Sequence, residues 1–122
     1  MAGNIVWCDI PVTDINRAVK FYSKVLGVKI HQEEIEPGYS IGVLPHEGTN
    51  IGGCLYVSDQ VKPSPNGPLI YLNVSGRLSE AEKIVPEAGG KVLEPQHSIG
   101  PHGFRSLVLD SEGNRIALHS ET

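Results

Sequence analysis

Asp9 and His119 carry the most reactive chemistry in the chain. Strand alternation sets Asp9 in one row with Trp7 and Pro11, opposite Cys8, Ile10 and Val12. The same alternation sets His119 beside Ala117, opposite Ile116 and Leu118. A carboxylate against an imidazole orients the ring and raises its basicity. Asp9 and His119, on strands that approach across a concave surface, would then form a general base or a hydrogen-bonding donor to a ligand. A third row, Leu69, Tyr71 and Asn73, stands opposite the apolar Ile70, Leu72 and Val74. Trp7, the only tryptophan, offers a flat apolar face for stacking a planar molecule, and Phe104, Tyr39 and Tyr56 are candidates to extend it. The expected ligand-contacting set is Trp7, Asp9, Leu69, Tyr71, Asn73, Phe104, Ala117 and His119, with Asp9 and His119 as catalytic candidates. The same groups also read as wall residues hydrogen-bonded in place, or at a subunit interface, with no chemistry.

Other reactive types are less organised. His97 and His102 flank "HSIGPHG", a loop suited to forming a rim over a ligand, at a spacing that matches no common metal motif. His31 and His46 read as solvated. Cys8 and Cys54 have no CxxC partner and read as reduced, half-buried thiols of a cytoplasmic protein. "EGN" at 112–114 reads as a tight turn, and "GG" at 52–53 lacks the lysine and following helix of a phosphate loop. No nucleophile elbow is evident.

The elements that must position these residues come in duplicate. "IVWCDIPVTDINRAVKFYSKVLGVKI" (5–30) and "PLIYLNVSGRLSEAEKIVPEAGGKVL" (68–93) each read strand, helix, glycine stop, strand. An offset of 62 aligns Val12 with Val74, Gly27 with Gly89 and Lys29 with Lys91. Ile15, Ala18, Val19, Tyr22, Val25 and Leu26 make the apolar stripe of the first helix. Thr13 or Asp14 caps its start and Gly27 ends it. Leu78, Ala81, Ile84, Val85 and Ala88 make the second stripe, with Pro86 expected to kink or end that helix near Val85. Further strands are expected over 28–35, 40–44, 51–57, 91–94, 104–109 and 115–120. A proline-bearing linker, 58–68, separates a first module (about 4–57) from a second (about 69–120).

The bulk numbers agree with one such domain. The chain has 122 residues, 39% hydrophobic, 6% aromatic, with a formal charge of −4, so Val, Ile and Leu must carry the core. No basic run points to nucleic acid, no apolar run reaches the roughly 18 residues of a membrane span, and no signal peptide is visible.

Taken together, "IPVTDINRAVKFYSKVLG" (10–27), "GGKVLEP" (89–95) and "GFRSLVLDSEGNRIALHS" (103–120) resemble the vicinal oxygen chelate superfamily, the fold of glyoxalase I, extradiol dioxygenases and bleomycin-resistance proteins. The resemblance implies an α+β fold in which two tandem βαβββ modules form a curved, cup-like mixed sheet with helices outside. It also implies homodimers whose cups are completed at the interface. Metal-dependent members carry ligands in the first and last strands of each module, usually His or Glu. Matched by motif, those points fall on Trp7, Gly53, Leu69 and Ala117, none of which ligates a metal through its side chain. The resemblance therefore implies a protein without the usual metal and with no other cofactor, binding a small, planar molecule in the cup. Trp7 is then either a stacking surface or filler for the volume of the missing metal site. The alternative is a metal-dependent lyase, isomerase or dioxygenase with a displaced site, using Asp9 and His119 with a partner subunit.

Overall fold

In the computed structural model, residues 3–48 and 50–122 are described. The first module runs β1 (Trp7–Pro11), α1 (Ile15–Leu26), β2 (His31–Glu36), β3 (Tyr39–Val43) and β4 (Gly52–Tyr56). The second runs β5 (Ile70–Asn73), α2 (Leu78–Glu87), β6 (Lys91–Ser98), a 3₁₀ turn (Gly100–His102), β7 (Phe104–Leu109) and β8 (Arg115–Ser120). Each module folds into its own four-stranded mixed sheet, ordered β1-β4-β3-β2 and β5-β8-β7-β6. In both, the first strand pairs in parallel with the last, Cys8 beside Gly53 and Ile70 beside Ile116. The curved surface is thus two sheets with β1 and β5 as edges, rather than one continuous sheet.

The helices form where local signals place them. Asp14, not Thr13, is the N-cap of α1, its carboxylate accepting from the Arg17 N–H at 3.0 Å. Gly27 ends that helix at φ +67°, a left-handed conformation that costs glycine nothing. Beyond the expected stripe, α1 fully buries Phe21, which meets Tyr22 edge-on with ring centroids 5.1 Å apart. The reason is a second packing partner: α1 lies against α2 as well as against β3 and β4, so its apolar face is wider than one sheet requires. Helix α2 continues through Pro86 to Glu87, because a proline in the last turn forfeits one hydrogen bond without breaking the rest.

Two strands differ from expectation. β2 begins at His31 rather than residue 28, after the turn that leaves α1. β6 extends to Ser98 rather than 94, with register shifts between Val92 and Glu94 and between Glu94 and His97. Pro95 is tolerated there because β6 is an outer strand whose free edge needs no donor.

One core joins the modules: Ile10, Val12, Tyr22, Val25 and Leu55 of the first with Val74, Val85, Val108, Ile116 and Leu118 of the second. Each large side chain buried here contributes on the order of 1.5–3 kcal/mol. The segment 110–114, "DSEGN", clasps the modules together through polar contacts. Buried Asp110 accepts from the Tyr22 hydroxyl at 2.5 Å, and Asn114 Nδ2 donates to the Pro11 carbonyl at 2.7 Å. Glu112 accepts from the Thr13 and Asp14 N–H groups, both at 2.9 Å, and from Arg17 Nε at 2.7 Å. From the other side Arg77, at the start of α2, donates to the Val25 carbonyl at 2.7 Å, closing the end of α1.

Candidate functional site

A cleft of about 1030 Å³ follows the β1 and β5 edges and is walled on one side by the linker at Val61, Lys62 and Ser64. Trp7, Asp9, Leu69, Tyr71 and Asn73, all expected from alternation, line it. Trp7 and Tyr71 are 41% and 46% exposed, so each presents much of a flat ring to whatever enters. Trp7 is fixed twice: its Nε1–H donates to Asp9 Oδ1 at 3.0 Å, and its ring meets His46 edge-on with centroids 5.7 Å apart. Asn73 is turned toward its own backbone, accepting from the Ser75 N–H at 2.9 Å.

The structure does not bring Asp9 and His119 together. Asp9 accepts from Trp7 and from the Cys54 thiol at 3.3 Å, all within the first sheet. His119, in the second sheet, has Nε2 2.6 Å from the His102 carbonyl oxygen, which can only accept, so Nε2 carries the hydrogen and pins the 3₁₀ turn. Each group is occupied inside its own module, so they do not form a carboxylate–imidazole pair.

Three other expected positions are redefined by register. Phe104 pairs with Ser120, in the row of Ser106 and Val108 that faces α2, so it stands off the concave face. Ala117 lies in the concave row opposite Tyr71 and Leu107 but is fully buried, a floor rather than a contact. Gly53 pairs with Cys8 in the helix-facing row. The first-module counterpart of Ala117 is therefore Cys54, which pairs with Asp9 as Ala117 pairs with Tyr71. The slip of one residue arises because the loop before β4 is not matched in length by the turn before β8.

With that correction the four points at which metal-dependent relatives would hold an ion carry an indole, a thiol, an isobutyl and a methyl group: Trp7, Cys54, Leu69 and Ala117. The one potential donor among them is unsuited. Burial first, and then its hydrogen bond to the Asp9 carboxylate, push the Cys54 thiol up to about 11. Among the described residues no three His, Cys, Asp or Glu side chains converge as an ion would require. The residues at these points do not fit a divalent metal. Burial and the Asp9 charge raise Cys8 as well. Both thiols are accordingly expected to react with a disulfide reagent far more slowly in the native protein at pH 8 than after unfolding, and faster as pH climbs toward 11. Rapid native labelling at pH 7 would contradict this environment.

Alternation alone missed Arg105. It pairs with His119 and His97, so it belongs to the concave row. The available signal was a lone cation inside the apolar strand "FRSLVL", in step with the row that carries His119. Arg105 Nε donates to His97 Nε2 at 3.1 Å and Nη1 donates to the Tyr71 hydroxyl oxygen at 2.5 Å.

Two βαβββ modules, each with a parallel first-to-last strand pair and a helix on one face, together with an edge-strand cleft, define a paired-module α+β fold. The chain belongs to the Glyoxalase/Bleomycin resistance protein/Dioxygenase superfamily, whose model matches residues 4–118. It is 33% identical to a glyoxylase-like domain-containing protein of Didymella fabae, over 95% of this chain and 92% of that protein. It is 28% identical to the putative glyoxylase CFP32 of Mycobacterium bovis over 95% of its own length, but spans only 45% of that relative. Among solved structures, a glyoxalase/bleomycin resistance protein from Albidiferax ferrireducens superposes with a TM-score of 0.74 at 15% identity, covering 98% of this chain and 100% of that one. The fosfomycin resistance protein FosX of Listeria monocytogenes superposes with a TM-score of 0.67 at 16% identity, covering 100% and 96%. At these identities the likeness to the solved structures establishes the fold and leaves the substrate open. No helix among the described residues is long and apolar enough to cross a membrane.

Proposed function

We propose that this protein binds a small, planar, largely apolar molecule in the cleft between β1 and β5, and does so without a metal at the superfamily's four ligand points. The observation that carries this reading is the cleft itself. Its volume suits a small molecule, its open aromatic faces are Trp7 and Tyr71, and Ile5, Val28 and Ile51 add exposed apolar surface around them. Asp9 holds the indole in place rather than acting as a base. In the same reading two copies pair so that each completes the other's cup. Sedimentation equilibrium giving a monomer mass at 50 µM or more would remove that part.

The single tryptophan makes the test direct. Titration with 2-naphthamide, a flat neutral probe, is expected to shift the one indole N–H resonance saturably. Trp7→Ala is expected to weaken binding by roughly 5–30-fold, the range for losing a buried aromatic contact. Naphthamide that leaves the indole resonance unmoved, or that binds the alanine variant equally well, defeats the reading.

A further inference from the structure

We infer that Arg105 is an anchor for a carboxylate, so that the ligand of this cleft is an aromatic or otherwise flat carboxylic acid. The inference rests on reading the cleft as a ligand site, and it follows from how Arg105 is held. His97 Nδ1 lies 2.9 Å from the Pro95 carbonyl oxygen, which can only accept, so the hydrogen is on Nδ1. The Nε2 lone pair is then left to accept from Arg105 Nε. On the other side, the Tyr71 hydroxyl oxygen accepts from Nη1, and the guanidinium carbon lies 5.9 Å from the Tyr71 ring centroid. Both hydrogen-bonding partners are neutral, and among the described residues no carboxylate lies within ion-pair distance of Arg105. A half-buried guanidinium is thus locked in orientation yet left without a counter-charge.

Its fork has five N–H groups, and Nε and one hydrogen of Nη1 are committed. Nη2 keeps both of its hydrogens and Nη1 keeps one, enough donors for a planar carboxylate to be met with two bonds. The Tyr71 oxygen, having accepted from Arg105, keeps its own hydrogen to donate to the same group. Tyr71 joins the two places, because its ring lines the cleft while its hydroxyl touches Arg105. A flat ligand body beside Trp7 and Tyr71 would therefore send an acidic substituent toward Arg105. Arg115, in the same row but on the other side of Ala117 from Arg105, adds a second positive charge to the cleft wall.

The experiment compares 2-naphthoate with 2-naphthamide, matched in shape and differing in charge, by calorimetry and by the Arg105 Nε–H resonance. Naphthoate is expected to bind the wild-type protein at least about tenfold more tightly than naphthamide and to shift that resonance, as a charge-assisted bidentate contact requires. Arg105→Gln is expected to erase the difference, the larger loss falling on naphthoate. Arg105→Lys, which keeps the charge but loses the fork, is expected to recover only part of it. Equal affinities of the two probes for wild type, or an undiminished naphthoate preference in Arg105→Gln, overturns the inference, and the first comparison needs no variant to fold. Naphthamide binding without a naphthoate advantage refutes the anchor and leaves the cleft standing. Naphthoate binding at Arg105 with the Trp7 resonance unmoved refutes the aromatic cleft and leaves the anchor. Failure of both probes to bind at millimolar concentration refutes both.

Discussion

Glu112→Ala is expected to destabilise the protein by about 2–4 kcal/mol, read as a lower urea midpoint with an unchanged slope. The side chain has no exposed surface in its contact with Arg17 and satisfies two backbone N–H groups at the start of α1, those of Thr13 and Asp14. Alanine removes the acceptor of both donors, leaving them to water, and removes the negative charge that favours a helix N-terminus. Arg17 is itself half-exposed and readily rehydrated, so the loss falls on the backbone donors rather than on the ion pair. The effect has a definite pH dependence. Burial by itself raises the Glu112 carboxyl, but hydrogen bonds from Arg17, Asp14, Ser111 and Thr13 outweigh it and hold the group at about 2, against an ordinary 4.5. A depressed carboxyl contributes stability that is full above the unfolded value and is lost as pH falls through the folded one. The gap between wild type and Glu112→Gln should therefore be widest at neutral pH and shrink between pH 4.5 and 2. A gap that stays constant or widens on acidification would show that the carboxylate form is not what the clasp uses.

Asp110→Ala is expected to cost more, about 3–5 kcal/mol, because it leaves buried donors facing nothing. Asp110 is 2% exposed and accepts four hydrogen bonds: from the Tyr22 hydroxyl, from Asn114 Nδ2 at 2.9 Å, and from the Glu112 and Asn114 N–H groups at 2.8 and 2.9 Å. The phenol is fully buried, and burial together with the Asp110 charge raises its ionisation well above the usual tyrosine range, so it stays a donor at any physiological pH. Tyr22→Phe removes one donor and leaves Asp110 three, so it should cost about 1–3 kcal/mol. The Glu112→Ala/Asp110→Ala double variant should lose less than the two single losses combined, since the Glu112 N–H is itself held by Asp110. Strict additivity in thermal or urea unfolding would mean that the turn is two separate contacts rather than one cooperative clasp.

The two helices, their glycine stops and the duplicated order of elements were legible because each is written in a local signal. Apolar spacing near 3.6 marks a helix face, glycine marks a left-handed stop, and the 62-residue repeat marks the second copy. The concave rows of β1 and β5 were legible for the same reason, because alternation depends only on adjacent residues. Trp7, Asp9, Leu69, Tyr71 and Asn73 all reach the cleft wall. The errors lie wherever a partner strand decides. Gly53 and Cys54 exchange roles through a one-residue shift in β4 pairing, and Phe104 changes face with the register of β7 against β8. β6 runs past Pro95 because β7 continues to pair with it.

By itself the sequence determined the class of fold, since the duplicated order of strands and helices follows from residue identity and spacing. Only the tertiary structure decided that Asp9 and His119 serve separate modules, that "DSEGN" is the clasp between them, and that Arg105 stands charged and uncountered beside Tyr71 and His97. These depend on which side chains meet across strands and modules, up to 95 positions apart for Arg17 and Glu112, and such hydrogen bonds leave no periodic trace in a single chain.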